Sequence, residues 1–116
     1  MSFDRDELYL TLIGEAVADI QRRLQNTEFE KFTADRDEQA LTAFRLSIIG
    51  ENSNKLSTEL KNRHPDLPWL DMIAFRNVVS HEYHRVDPLF TWEAVLTLGA
   101  IEQMVDCELA RFGQGK

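Results

Sequence analysis

The chain has 116 residues, 43% of them hydrophobic and 28% charged, with a net charge of −7. That length fits one domain, 1–116, and the balance excludes a disordered chain. The acidic total argues against broad nucleic-acid binding, and no uncharged apolar run nears the roughly 18 residues of a membrane span.

No basic stretch followed by an apolar run opens the sequence, so a cytoplasmic protein without a signal peptide is expected. Cys107 is the one cysteine, which excludes an intrachain disulfide and a cysteine-rich metal site. Its place in an amphipathic stretch predicts a buried, inert thiol. Charge is uneven along the chain. Residues 1–40 hold five Lys/Arg against ten Asp/Glu, residues 41–85 six against five, and residues 86–116 two against five. Only the middle, which also contains all three histidines, is not acidic overall.

Periodicity predicts four helices. In the first, over about 4–26, Leu8, Leu12, Glu15, Ala16, Asp19, Ile20 and Leu24 hold a spacing of three and four, and the apolar members form a stripe. Phe29 and Phe32 are expected to plug the connector. Asp35 with Glu38 three residues later resembles a capping box, and the second helix runs to about Arg63 with Leu41, Phe44, Ile48, Ile49, Leu56 and Leu60 apolar. Pro65 ends it. Asp66 or Leu67 caps a third helix, with Pro68 near its first position, that carries Trp69 to Tyr83. A loop at about 84–87 leads to Asp87-Pro88 and a last helix to about Phe112, stopped by Gly113. The fold class expected is all-α, an up-and-down bundle of four to five helices.

Chemistry concentrates in the third helix, from Pro68 to Tyr83. Asn77 and His81 are one turn apart, and Arg76 and Tyr83 two turns apart, so Arg76, His81 and Tyr83 share a broad side. Arginine offers phosphate a permanently charged planar fork, and a histidine of ordinary pKa about 6.5 moves protons near neutrality. RNA brings its own nucleophile, the 2′-hydroxyl, so these groups suffice for cleavage without a metal. On spacing alone, a surface arginine and a histidine favoured by a helix C-terminus are the commoner explanation of the pattern.

The segment Arg76-Asn77-x-x-x-His81-x-Tyr83 matches the R-x-x-x-x-H-x-Y signature of HEPN toxins of the HepT kind. Ile48-Ile49-Gly50-Glu51 resembles that family's IIGEA, Leu56-Ser57 its LS, and Pro65 with Pro68-Trp69 its P-x-x-P-W. Val86-Asp87 and Trp92-Glu93 resemble the stretch that follows. The similarity runs from about Leu8 to Leu98.

This resemblance implies a HEPN-like homodimer with two Arg/His pairs lining one cleft. The implied activity is metal-independent endoribonuclease cleavage of tRNA or mRNA by the toxin subunit of a type VII toxin–antitoxin system. The implied partner is a minimal nucleotidyltransferase antitoxin that transfers AMP to Tyr83, and ATP is used by that partner only, so no cofactor or metal is expected here. Arg76 would bind phosphate, His81 act as general acid or base, and Asn77 orient either; Arg85 and His84 are further RNA-binding candidates. Asn52 departs from the family's alanine. Glu51 is either solvent-facing or a buried carboxylate paired with Arg76 or another arginine. A different reading is a non-catalytic subunit that holds a nucleotide or substrate for a nucleotidyltransferase, and a third is a purely structural bundle.

Overall fold

A computed structural model describes residues 2–77 and 87–114, and among these every regular element is helical. Helix α1 spans Ser2–Leu24, α2 Phe29–Thr33, α3 Arg36–Lys55, α4 Thr58–Arg63, α5 Trp69–Ala74, α6 Pro88–Val95 and α7 Leu98–Gln114, with one 3-10 turn at Phe75–Asn77 after α5. Helix α1 lies between α3 and α7, and these three long helices supply most of the core.

The buried stripe of α1 is Asp6, Leu10, Ile13, Val17, Ile20 and Leu24, with Ala16 beside it. Ala16, Ile20 and Leu24 are buried as expected, but Leu8 is 56% exposed and Leu12 only half-buried. Two apolar ladders overlap along this helix, and the packing of α3 and α7 selects the one that faces them. The chain leaves α1 through Asn26 at φ 66, a left-handed residue at a helix end. Phe29 and Phe32 do plug the connector, which is itself a helical turn. Their rings lie 5.8 and 5.2 Å from that of Trp92 in α6.

Asp35 caps α3 by accepting from the Glu38 backbone N–H at 3.0 Å. The second half of the capping box is absent, because the Glu38 carboxylate instead accepts two hydrogen bonds of 2.9 Å from Arg23 of α1. The helix expected to continue to Arg63 breaks after Lys55. Buried Asp6 draws the backbone N–H of Ser57 to Oδ1 at 2.9 Å and its hydroxyl to Oδ2 at 2.6 Å. Ser57 Oγ then accepts from Leu60 N at 3.2 Å and caps α4. A donor committed to α1 cannot also continue α3.

The last helix is likewise two. Asp87 caps α6 as expected, accepting from Leu89 N at 3.0 Å. The break at Leu96–Thr97 is marked by the Thr97 hydroxyl, which donates to the Ala94 carbonyl at 2.7 Å and competes with the helical ladder. The bend lets α6 pack on α2 and α3 while α7 runs along α1. Cap and proline at α5 also differ from expectation: Pro68 is itself the N-cap, and no side chain caps the helix. Cys107 is exposed, not buried. The inner face of α7 runs Leu98, Ile101, Met104, Val105 and Glu108, which turns residue 107 outward. No described helix is long and apolar enough to cross a membrane.

A polar clamp closes the far side of the core. Glu108 of α7 is 1% exposed. Its carboxylate accepts from Arg63 Nε at 3.1 Å and Nη2 at 2.7 Å, and from His64 Nε2 at 2.6 Å. The Trp69 indole donates to the His64 carbonyl at 2.9 Å, so the clamp reaches the start of α5. Burial pushes the Glu108 carboxyl up, but the hydrogen bonds from Arg63 and His64 and their charges outweigh it and hold the group below its ordinary value.

A carboxyl depressed in the folded state stabilises the fold above its unfolded value of about 4.3 and loses that contribution as pH falls toward the lower folded value. Urea midpoints at about pH 6 and about pH 3 should therefore fall with acid in the wild type and fall less in Glu108→Gln. An equal fall in both would remove Glu108 from the acid response.

Candidate functional site

The sequence places the chemistry after α5, and the structure shows how its first member is held. Helix α5 ends at Ala74 and tightens into the 3-10 turn that carries Phe75, Arg76 and Asn77. Phe75 is buried and meets the Phe90 ring of α6 edge-on at 6.4 Å. Its neighbour Arg76 is thereby turned outward and is exposed. The anchor and the functional side chain are adjacent in sequence and opposite in direction.

Gly50 of α3 sets the depth of this turn. A Cβ at position 50 would lie 2.4 Å from the Arg76 backbone nitrogen, 2.9 Å from the Met72 carbonyl oxygen and 3.0 Å from that of Ile73. All three atoms are backbone, so no rotamer change could make room. Glycine here serves close approach, not turn geometry, since α3 continues through it as helix.

Arg76, Ser47, Ile48, Glu51 and Asn52 line a shallow open groove of about 300 Å³ between α3 and the turn. Asn52 is buried, and its amide donates to the Ile48 carbonyl at 2.8 Å, so it stiffens the groove wall. Glu51 settles between its two readings: it is solvent-facing at 52% side-chain exposure, with Lys55 as a neighbour at 3.9 Å. It is not a buried partner of Arg76. A phosphate entering the groove thus meets a cation on one wall and an exposed carboxylate on the other, an arrangement that favours selective over avid anion binding.

Asn77 shares the 3-10 turn with Arg76 and is exposed. His81, Tyr83, His84 and Arg85 lie outside the described residues. Two features escaped the sequence reading. Gly50 stood within a recognised run, yet its spacer role needs the facing backbone to be seen. Ser47 belongs to no motif in the sequence, and its place in the groove shows only in the fold.

Residues 7–106 match the family model described as ribonuclease HepT-like. The chain is similar to "Probable ribonuclease HepT" of Thermococcus cleftensis, 34% identical over 87 residues that cover 75% of this chain and 79% of that protein. It is also similar to "Putative RNase TTE0752" of Caldanaerobacter subterraneus subsp. tengcongensis, 30% identical with 76% and 79% covered. A third relative, "Putative RNase MJ1380" of Methanocaldococcus jannaschii, is 25% identical with 75% and 80% covered. No solved structure matches the chain.

The contact at Gly50 predicts that Gly50→Ala lowers stability by about 1–3 kcal/mol, the cost of overpacking against backbone that cannot yield. Chemical denaturation of the two proteins measures it. A stability unchanged within error would mean that the turn is free to move away.

Proposed function

The chain belongs to the ribonuclease HepT-like family, and on that premise we propose that it is a metal-independent endoribonuclease, the toxin subunit of a HEPN toxin–antitoxin pair. The observation that carries this reading is the outward Arg76 on a turn fixed by Gly50, beside a groove open to solvent.

Cleavage needs three acts. A base removes the proton of the 2′-hydroxyl, the 2′-oxygen attacks the adjacent phosphorus, and the bond to the 5′-oxygen breaks as that oxygen receives a proton. The products are a 2′,3′-cyclic phosphate and a 5′-hydroxyl. His81 is assigned the proton transfers. Arg76 neutralises the charge that builds on the phosphorane oxygens, where a fixed cation contributes most. Asn77, on the same turn as Arg76, orients the phosphate or the histidine; Arg85 and His84 extend the contact to the RNA strand.

A homodimer is part of this proposal, for it would set two Arg76/His81 pairs around one phosphodiester. The exposed Phe44, Leu70, Leu89 and Phe90 support it as apolar surface that a second copy would cover. The partner proposed is a minimal nucleotidyltransferase antitoxin that moves AMP from ATP to Tyr83: the phenol oxygen bonds to the α-phosphorus, pyrophosphate leaves, and the phenol proton is released. An added anion beside the cleft repels RNA phosphate.

A second reading is a non-catalytic subunit that holds a nucleotide for the partner, since the net charge of −7 and the Glu51 carboxylate in the groove oppose a long RNA polyanion more than a single nucleotide. One experiment separates the two. Protein shown by mass to be unmodified is incubated with total tRNA and a model mRNA in EDTA. The nuclease reading expects cyclic-phosphate ends. It expects a loss of roughly 10²–10⁴-fold in His81→Ala, the usual weight of general acid–base catalysis, and of roughly 10²–10³-fold in Arg76→Ala. No cleavage by the wild type would leave the nucleotide-holding subunit as the reading of this chain.

A further inference from the structure

The clamp at the end of α4 has a further neighbour, Cys107, that none of its ion pairs uses. One ring nitrogen of His64, Cys107 Sγ and one Glu108 carboxylate oxygen all lie within 4.8 Å of one another. A single cysteine rules out a cysteine-rich site but not a mixed one. Thiolate, imidazole and carboxylate are the three ligand types that zinc accepts.

We propose that His64, Cys107 and Glu108 form a zinc site that staples the end of α4 to α7, with water as the fourth ligand. Ligand atoms around a tetrahedral zinc lie roughly 3.3–3.6 Å apart, given bonds of about 2.0–2.3 Å. The three side chains are thus within a small adjustment of that geometry. The two Glu108 oxygens divide the work. Oε2 faces His64 Nε2 at 2.6 Å and is the ligand. Oε1 keeps Arg63 Nη2 at 2.7 Å, with Arg111 Nε at 3.6 Å. Arginines on the outer oxygen hold the carboxylate in place as outer-shell partners do around metals. The Trp69 indole on the His64 carbonyl fixes the backbone of the second ligand.

Two bonds are given up, those to Oε2 from His64 Nε2 and from Arg63 Nε. His64 must present its Nε2 lone pair, so the ring carries its proton on Nδ1 instead. The Cys107 thiol releases its proton to solvent as the sulfur–metal bond forms. Exposure of Cys107 and partial exposure of His64 leave the ion a way in, while the buried Glu108 supplies a fixed anion. None of its three ligands lines the Arg76 groove, and RNA cleavage is not its readout.

Cobalt is the probe. Reduced, metal-free full-length protein is titrated with Co²⁺ and then with Zn²⁺. Because Cys107 is the one cysteine, a thiolate-to-cobalt charge-transfer band can arise only there. The site predicts that band at one equivalent, its loss when Zn²⁺ is added, and its absence in Cys107→Ala. His64→Gln should weaken cobalt binding at least about tenfold, as loss of one ligand does. Zn²⁺ should raise the thermal midpoint of the wild type but not of Cys107→Ala. No band in the wild type overturns the proposal. So does a band that His64→Gln leaves at wild-type affinity, which would assign Cys107 to other ligands. Cys107 is exposed, so its substitution does not disturb the core.

Discussion

At Gly50 the backbone of α3 comes so near the turn carrying Arg76 that one added methyl group would reach within 2.4 Å of the Arg76 nitrogen. Much of the rest follows from that contact. It brings α5 down onto α3, seats Met72 and Phe75 in the core, and leaves the next side chain no direction but outward. The groove exists because a helix and a turn that meet this closely at one point must diverge on either side of it. Its lining is Arg76 from the turn and, from α3, the residues just before and after the glycine, Ser47, Ile48, Glu51 and Asn52.

A contact without side chains provides little burial of its own, so the segment needs holding from elsewhere. Phe75 against Phe90 ties it to α6. At its other end Trp69 ties it to His64, and through His64 to Glu108 of α7. The buried carboxylate answers to two cationic or hydrogen-bonding neighbours, so its ionised form persists where burial alone would neutralise it. The same hub becomes a metal site if the adjacent thiol joins it. The turn that carries Arg76 is thus held at one end by aromatic packing and at the other by a polar clamp.

Electrostatics set the character of the groove. The molecule is acidic, and its one sequence region without an acidic excess is the region from which the groove and the motif come. A weak local attraction within a repelling whole disfavours long nonspecific contact with a polyanion while leaving the arginine open to a short anionic segment.

The sequence by itself determined the helical class, through its three-and-four spacing, its caps at Asp35 and Asp87, and the prolines at 65, 68 and 88. It also located Arg76, because the Arg-Asn-x-x-x-His-x-Tyr run is local and needs no fold to be read. Only the tertiary structure decided the rest. Two predicted helices break, at Leu56–Ser57 and at Leu96–Thr97, because Asp6 captures the donors of a residue 51 positions away and because α6 and α7 pack on different neighbours. The buried ladder of α1 was chosen by its partners, and Cys107 and Glu51 took their exposure from which face of each helix met the core. Periodicity reports that a helix has an apolar side. Which of two overlapping sides is used, where a helix must bend, and why a glycine stands at position 50 depend on contacts between residues far apart in the chain, and no local pattern encodes them.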